Sequence, residues 1–200
     1  MRATVQTKEV RDAILDATDL LLSRYGYKKM TIDDLAREVG IGKGSIYLHF
    51  SSKEEIVLSH IDRIVDRVKD DLKKIADSEA DASEKLRKMV LSRVLIRFDS
   101  VQHYSESIDE LLSSLRVKVI ERRKRYFKEE SKIFAKVIKA GQDSEQFRDG
   151  NPGEMAESVV SATNSLLPSS LSTQELGERA QVRKRALAVC DLLLKGILGS

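Results

Sequence analysis

The sequence predicts an all-α protein, and three observations lead there. Breakers are scarce: 2 prolines, Pro152 and Pro168, and 10 glycines among 200 residues, which favours long helices over many short strands. Apolar residues recur at intervals of three and four, the period of a helix that buries one face. No segment alternates apolar and polar residues as a half-buried strand does, and there is no internal repeat.

The elements follow in order. Residues 8–25 place Val10, Ile14, Ala17 and Leu21 on one face, with Thr7 as the cap and Gly26 as the stop. Thr31 opens a second helix that Gly40 closes after about two turns. Met30 and Leu35 suit a hydrophobic staple, and Asp33 and Asp34 lie where the helix dipole favours acids. A third helix runs over 43–49. Ser51 and Ser52, with Glu54 and Glu55 three residues on, form two overlapping capping boxes. They launch a helix over 52–75, lined by Val57, Ile61, Ile64, Val68, Leu72 and Ile75. A polar linker, 76–85, precedes helices over 83–99, 105–114, 116–140, 153–166 and 175–198, with loops at 141–153 and 167–173.

Composition narrows the function classes. With 41% hydrophobic and 34% charged residues, the chain folds and is heavily solvated. The single cysteine, Cys190, excludes an intrachain disulfide and a multi-cysteine zinc site, and fits a reducing cytoplasm. The opening MRATVQTKEVRDA has no apolar signal core, and no apolar run is long enough to span a membrane. The expected location is therefore cytoplasmic. Catalysis finds no support. His49, His60 and His103 lack metal-binding spacing, no G-x-S-x-G elbow exists, and Cys190 sits in an apolar helix. No cofactor or metal is expected.

The stretch VGIGKGSIYLHF, 39–50, holds three glycines and a lysine. As a phosphate-cradling loop it fails three requirements. Arg37 stands where the first glycine belongs, Gly44 where Ser or Thr belongs, and a helix precedes it instead of a strand. As two short helices joined by a glycine turn it succeeds. Leu35 and Ala36 face Ile46, Val39 and Ile41 plug the corner, Gly40 takes the positive φ, and Gly42 caps the next helix. Lys43, Gly44, Ser45, Tyr47, Leu48 and His49 remain outward. A lysine can bond a guanine edge or a phosphate, a glycine lets backbone approach, and hydroxyls suit phosphate oxygens. Lys53 with the opening of its helix, and Thr31 with its own, read as further anion sites.

The segment TIDDLAREVGIGKGSIYLHFSSKEEI, 31–56, resembles the DNA-binding signature of TetR-family transcriptional regulators, T-[IV]-x-x-[IL]-A-x-x-[AV]-G-[VI]-[SG]-x-[GAP]-[ST]-[LIV]-Y-x-[HY]-F-x-[SN]-K-E-x-[IL]. The lead-in from Leu20 to Tyr27 also matches, so the likeness spans residues 8 to 60. It implies that Lys43 and Gly44 face bases, while Thr31, Ser45, Tyr47, His49 and Lys53 hold phosphates. Gly42, where Ser or Thr is usual, and Leu48, where a polar or aromatic residue is usual, depart from the pattern and leave the operator sequence open. Residues 1–55 balance nine cations against nine acids, while 24–53 carries six against three. Affinity must then rest on a few placed cations, doubled in a dimer.

The resemblance implies a helix-turn-helix domain at 1–51, a connecting helix at 52–75, and an effector-binding and dimerisation domain at 76–200. Met155, Val159, Ala162 and Leu166, with Ala186, Val189, Leu193 and Ile197, line two apolar faces that read as core or, by the resemblance, as a homodimer interface. Two readers must sit roughly 34–36 Å apart to meet successive turns of DNA. The stretch 116–139 carries ten cations against three acids. Lys118, Arg122, Arg125, Lys132, Lys136 and Lys139 read as a solvated stripe or as attraction for an anionic effector such as a fatty acid, an acyl-CoA or an aromatic acid. Met89, Phe98, Tyr104, Tyr126, Phe127 and Phe134 are candidate pocket walls as well as candidate core, and Arg93, Arg97, His103 and Arg122 candidate polar anchors. The expected function is a ligand-responsive regulator, a repressor that holds a palindromic double-stranded operator as a homodimer until a small molecule releases it. The alternative is a helical adaptor that binds protein with the same fold.

Overall fold

The computed structural model describes residues 2–168 and 177–197, with side chains for 8–103, 110–168 and 177–197. Within them the chain is helical: α1 (Arg2–Lys29), α2 (Ile32–Val39), α3 (Lys43–His49), α4 (Lys53–Ala76), α5 (Ala82–Val101), a 3-10 turn (Gln102–Tyr104), α6 (Ser105–Asp143), α7 (Pro152–Asn164) and α8 (Arg179–Ile197). No strand occurs among the described residues.

Local chemistry sets most of the ends. Gly26 breaks α1 with φ 71° and ψ 174°, and one further turn follows it. Thr31 and Asp34 form a reciprocal capping box at the head of α2. Gly40 ends α2 at φ 75°. Its N–H reaches the Arg37 carbonyl at 3.3 Å while the Ile41 N–H reaches Ala36 at 3.0 Å, so the left-handed residue satisfies the last carbonyls as it turns the chain. Asp81 caps α5 at the Glu84 N–H, and Asn151 caps α7 just ahead of Pro152.

Four expectations need correction. Thr7 lies inside α1, so it is not its cap. The helices expected at 105–114 and 116–140 are one helix of 39 residues, because no glycine or proline interrupts 105–140. Gly141 does not stop that helix. A Cβ there would come within 2.2 Å of the Phe147 ring, so the glycine is a packing site for a buried aromatic. The pairing of Ser51 with Glu54 is not made. Ser52 caps the Glu55 N–H at 3.1 Å and Glu55 reaches back to the Ser51 N–H at 2.8 Å, while Glu54 pairs with Lys118.

The chain divides into two compact units, 1–63 with 103–119, and 64–102 with 120–200. The break falls inside α4, not at its start. In the first unit Ile14, Met30, Leu35, Ile46, Ile56 and Val57 are completely buried, and Leu111 and Leu115 of α6 nearly so. The unit therefore closes only with the first turns of α4 and the start of α6. Polar contacts follow the same lines: Arg63 to Asp16 at 2.6 Å, and the Lys28 N–H to Glu110 at 2.8 Å.

The second unit packs α8 along α5, with α7 against α8. Val68, Leu72, Leu86, Met89, Phe134, Ile138, Ala156, Val160 and Cys190 share one core, and Val94, Phe98, Leu167, Val182 and Ala186 a smaller one. Burial pushes the Cys190 thiol up to about 11, which leaves it a packing group and not a nucleophile.

Candidate nucleic-acid interface

The two short helices α2 and α3 are neighbours, joined by the Gly40 turn. Leu35 and Ile46 are fully buried and Ala36 nearly so. Val39 and Ile41, expected to plug the corner, are only half-buried. Ile46 and Phe50 anchor α3 on its inner side. That anchoring turns the other side outward: Tyr47 is 50% exposed and Leu48 84%. Lys43 and Gly44 are exposed, and Ser45 and His49 half-buried.

Gly42 and Gly44 serve no internal need. Gly42 heads α3 at φ −71° and ψ 148°, a conformation open to any residue. A Cβ added at Gly42 or at Gly44 would meet nothing within 4 Å. Neither packing nor backbone strain explains the missing side chains, so what they leave is a smooth, approachable surface.

Lys43 leans back toward α2. Its Nζ donates to Asp33 Oδ2 at 2.9 Å, with the two side chains 50% and 61% exposed. The carboxylate beside it raises the lysine pKa.

Two more of the seven residues read as DNA contacts are engaged within the protein. The Thr31 hydroxyl donates to Asp34 Oδ2 at 2.6 Å and accepts from the Asp34 N–H at 3.1 Å. That bond to Thr31 holds the Asp34 carboxyl below its usual range. Lys53 Nζ donates to the carbonyls of Tyr27 at 3.0 Å, Met30 at 3.1 Å and Lys28 at 3.4 Å, over the face of the Tyr27 ring. An ammonium has three donors, and all three have acceptors here.

The candidate effector residues divide between the cores and the surface of the described residues. Met89, Phe127 and Phe134 belong to the larger core and Phe98 to the smaller. Tyr126 is buried, Arg122 half-buried, and His103 is exposed in the first unit. The Tyr104 side chain lies outside the described residues. Arg93 and Arg97 do meet, through a residue that the sequence reading passed over. Arg93 Nε donates to Glu130 Oε2 at 2.6 Å, and Arg97 pairs with the other Glu130 oxygen. The remaining Arg93 donors reach Thr163 at 2.9 Å and Asn164 at 2.6 Å. Burial lowers the Arg93 pKa to about 10. Burial would raise Glu130, but the two guanidiniums outweigh it and hold its carboxyl down. A signal existed: Glu130 falls on the four-residue line of Tyr126, Phe134 and Ile138, an acid on an apolar face.

The cationic stripe is partly neutralised. Lys118 pairs with Glu54, Lys139 with Asp143, and Arg125 lies 3.9 Å from Glu129. Ile120, on the same helix, is 44% exposed.

The residues read as a partner surface pack within the second unit itself. Val159, Leu166, Ala186 and Ile197 are buried in its cores, Met155, Val189 and Leu193 pack against them, and Ala162 is half-buried. The periodicity marks which residues share a face, while α5 supplies the cover. The outward faces are different: Glu154, Glu157, Ser158 and Ser161 on α7, and Lys184, Ala188, Leu192 and Lys195 on α8, with Leu192 71% exposed.

Comparison with known proteins agrees with this architecture. The sequence model of the tetR family of bacterial regulatory proteins matches residues 14–59, the helix-turn-helix and the helices that support it. The transcriptional repressor KstR2 of Mycobacterium tuberculosis is 27% identical over 154 residues, 74% of each chain. Among solved structures, a transcriptional regulator from Cytophaga hutchinsonii is 25% identical and superposes with a TM-score of 0.75, over 94% of this chain and 97% of that one. A complex of SmeT, a repressor from Stenotrophomonas maltophilia, with triclosan shares the fold at 17% identity, with a TM-score of 0.70 over 96% and 93% of the two chains. Among the described residues no helix is long and apolar enough to cross a membrane. By its short outward helix, its surrounding core and these likenesses together, residues 14–59 match the helix-turn-helix of the tetR family, and the whole chain has the fold of TetR-family transcriptional regulators.

Proposed function

We propose that the protein is a cytoplasmic repressor that binds a palindromic double-stranded DNA operator as a homodimer and leaves it when a small molecule binds the second unit. One observation carries the DNA reading. The α3 helix is anchored by a fully buried Ile46 yet holds Leu48 at 84% and Tyr47 at 50% exposure beside two glycines without a packing role. Such an arrangement leaves an approachable face with an apolar and an aromatic side chain for a partner to lie against. Lys43 and Gly44 face base edges, with Ser45, Tyr47 and His49 toward phosphates. Thr31 and Lys53 shape the reader from within.

The dimer forms through the outward faces of α7 and α8. Two glutamates on α7 and two lysines on α8 are complementary when a two-fold axis sets each helix against the other's copy, and Ser158, Ser161 and Ala188 permit close approach. Reading then belongs to the first unit, 1–63 with 103–119, and effector and partner binding to the second, 64–102 with 120–200. The effector is anionic. One buried and one half-buried guanidinium share one carboxylate in the second unit, so an acid that takes Arg97 from Glu130 relieves a local excess of positive charge. KstR2 and SmeT, both named as repressors, and the triclosan held by SmeT support this reading by likeness.

The test is a binding isotherm on DNA from upstream of the protein's own gene, at several salt concentrations, with light scattering for mass. Expected are a dimer, preference over scrambled DNA, and affinity that falls steeply with salt. Equal, salt-independent affinity for both DNAs would overturn the reading in favour of the protein-binding adaptor.

A further inference from the structure

The reading surface contains a carboxylate that capping does not require. Asp34 alone completes the box with Thr31 at the head of α2. Asp33, next to it, is 61% exposed and its carboxylate accepts from Lys43 Nζ at 2.9 Å. The pair joins the first turn of α2 to the first turn of α3 at the edge of the exposed face.

A carboxylate so close to a DNA-contacting ammonium has a cost. It is repelled by phosphates on every sequence, and it competes with them for the lysine. The cost is recovered only where a base offers a hydrogen-bond donor at that point. In the major groove the donors are the amino groups of cytosine N4 and adenine N6, while guanine O6 and N7 accept. On a G·C pair the guanine O6 and the cytosine N4 lie side by side, an acceptor next to a donor. An A·T pair sets thymine O4 beside adenine N6 in the same order, but guanine adds N7 as a second acceptor for an ammonium, where thymine offers only O4 beside its methyl. An ammonium next to a carboxylate is the matching pattern, and Lys43 and Asp33 stand at hydrogen-bonding separation already.

We infer that Asp33 is a specificity-determining residue, and that Asp33 and Lys43 together read one G·C pair in each half-site, the ammonium on guanine and the carboxylate on the cytosine amino group. In the free protein the same contact withholds Lys43 from phosphates and so suppresses binding to unrelated DNA. Gly44, with open space where a side chain would be, lets the pair approach the base edge. The inference rests on the DNA-binding reading above and goes beyond it in naming the residue and the base pair.

The test uses the full-length wild type, Asp33→Ala, Asp33→Asn and Lys43→Gln on a randomised double-stranded DNA pool, followed by isotherms on the selected and unselected DNA at several salt concentrations. Wild type should enrich sites with a fixed G·C position in each half. Asp33→Ala should lose about 10-fold discrimination at that position alone, bind unselected DNA more tightly, and gain a steeper salt slope by about one ion. Asp33→Asn should move the preference toward adenine, whose N6 and N7 suit an amide. Because that variant is nearly isosteric, it also serves if the alanine variant is unstable. Identical selection by wild type and both Asp33 variants would overturn the inference. Absence of any selection by the wild type would overturn the DNA-binding reading itself, a result told apart because it appears before any substitution is made.

Discussion

Lys53 Nζ lies 4.5 Å from the centre of the Tyr27 ring and donates to the Tyr27 carbonyl at 3.0 Å. One side chain at the head of α4 therefore closes the tail of α1, just where Gly26 has broken that helix and Thr31 is about to start the next. The carbonyls of 27, 28 and 30 fall where chain direction changes and helix partners are missing. The lysine supplies those partners.

Lys53→Ala should then act on stability first. Loss of charged hydrogen bonds and a cation–ring contact predicts a cost of about 2 kcal/mol, read by urea unfolding followed by circular dichroism. If Lys53 held only phosphate, the same variant would unfold like wild type and lose DNA affinity with a reduced salt slope.

Gly44→Ala separates the two demands on α3. A Cβ there meets nothing within 4 Å, and alanine favours a helix by up to about 1 kcal/mol. The variant should melt no lower than wild type, yet bind operator DNA about 10-fold more weakly, since one missing contact of 1.4 kcal/mol is about that factor. Differential scanning calorimetry with a mobility-shift titration checks both halves.

Glu130→Gln should be costly because it strands two guanidiniums. Arg93 is 2% exposed and Glu130 completely buried, and breaking a buried pair on one side costs about 3–5 kcal/mol. Arg97→Gln on the same background should return part of that loss by removing one unpaired cation, a coupling that a double-mutant cycle measures.

The same carboxylate makes an acid-side prediction. Its folded pKa is depressed by Arg93 and Arg97 below the ordinary value of 4.5. The stabilisation is therefore fully present above 4.5, and is lost as pH falls through the depressed folded value. Asp19, held down by its hydrogen bond to His60 in the first unit, contributes in the same direction. Melting temperature should fall as pH drops below that value in wild type, and less steeply in Glu130→Gln.

Leu192→Lys addresses the proposed dimer. Leu192 is 71% exposed, so the substitution leaves the unit's core untouched and should keep helical content within error. Light scattering should show the mass fall to that of one chain at micromolar concentration. A variant that stays dimeric would place the interface elsewhere.

The fold and the helix-turn-helix were legible because their signals are local. Thr31, Gly40 and the buried period of Leu35, Ala36 and Ile46 sit within sixteen residues, where capping, glycine φ and helical spacing act through neighbours. The outward set on α3 followed by subtraction. The effector and partner residues were harder for a physical reason. An apolar face at helical spacing states that something covers it, but not what, and α5 turned out to cover the face of α8.

By itself the sequence determined the helices, the turn between α2 and α3, and which side of α3 points outward, since each depends on contacts a few residues apart. Only the tertiary structure decided that Lys53 clamps a broken helix, that Asp33 meets Lys43, and that Glu130 joins two arginines. Those partners are up to 26, 10 and up to 37 residues apart along the chain. No periodicity or cap encodes such pairings, and they exist because packing in three dimensions leaves each charge one place to go.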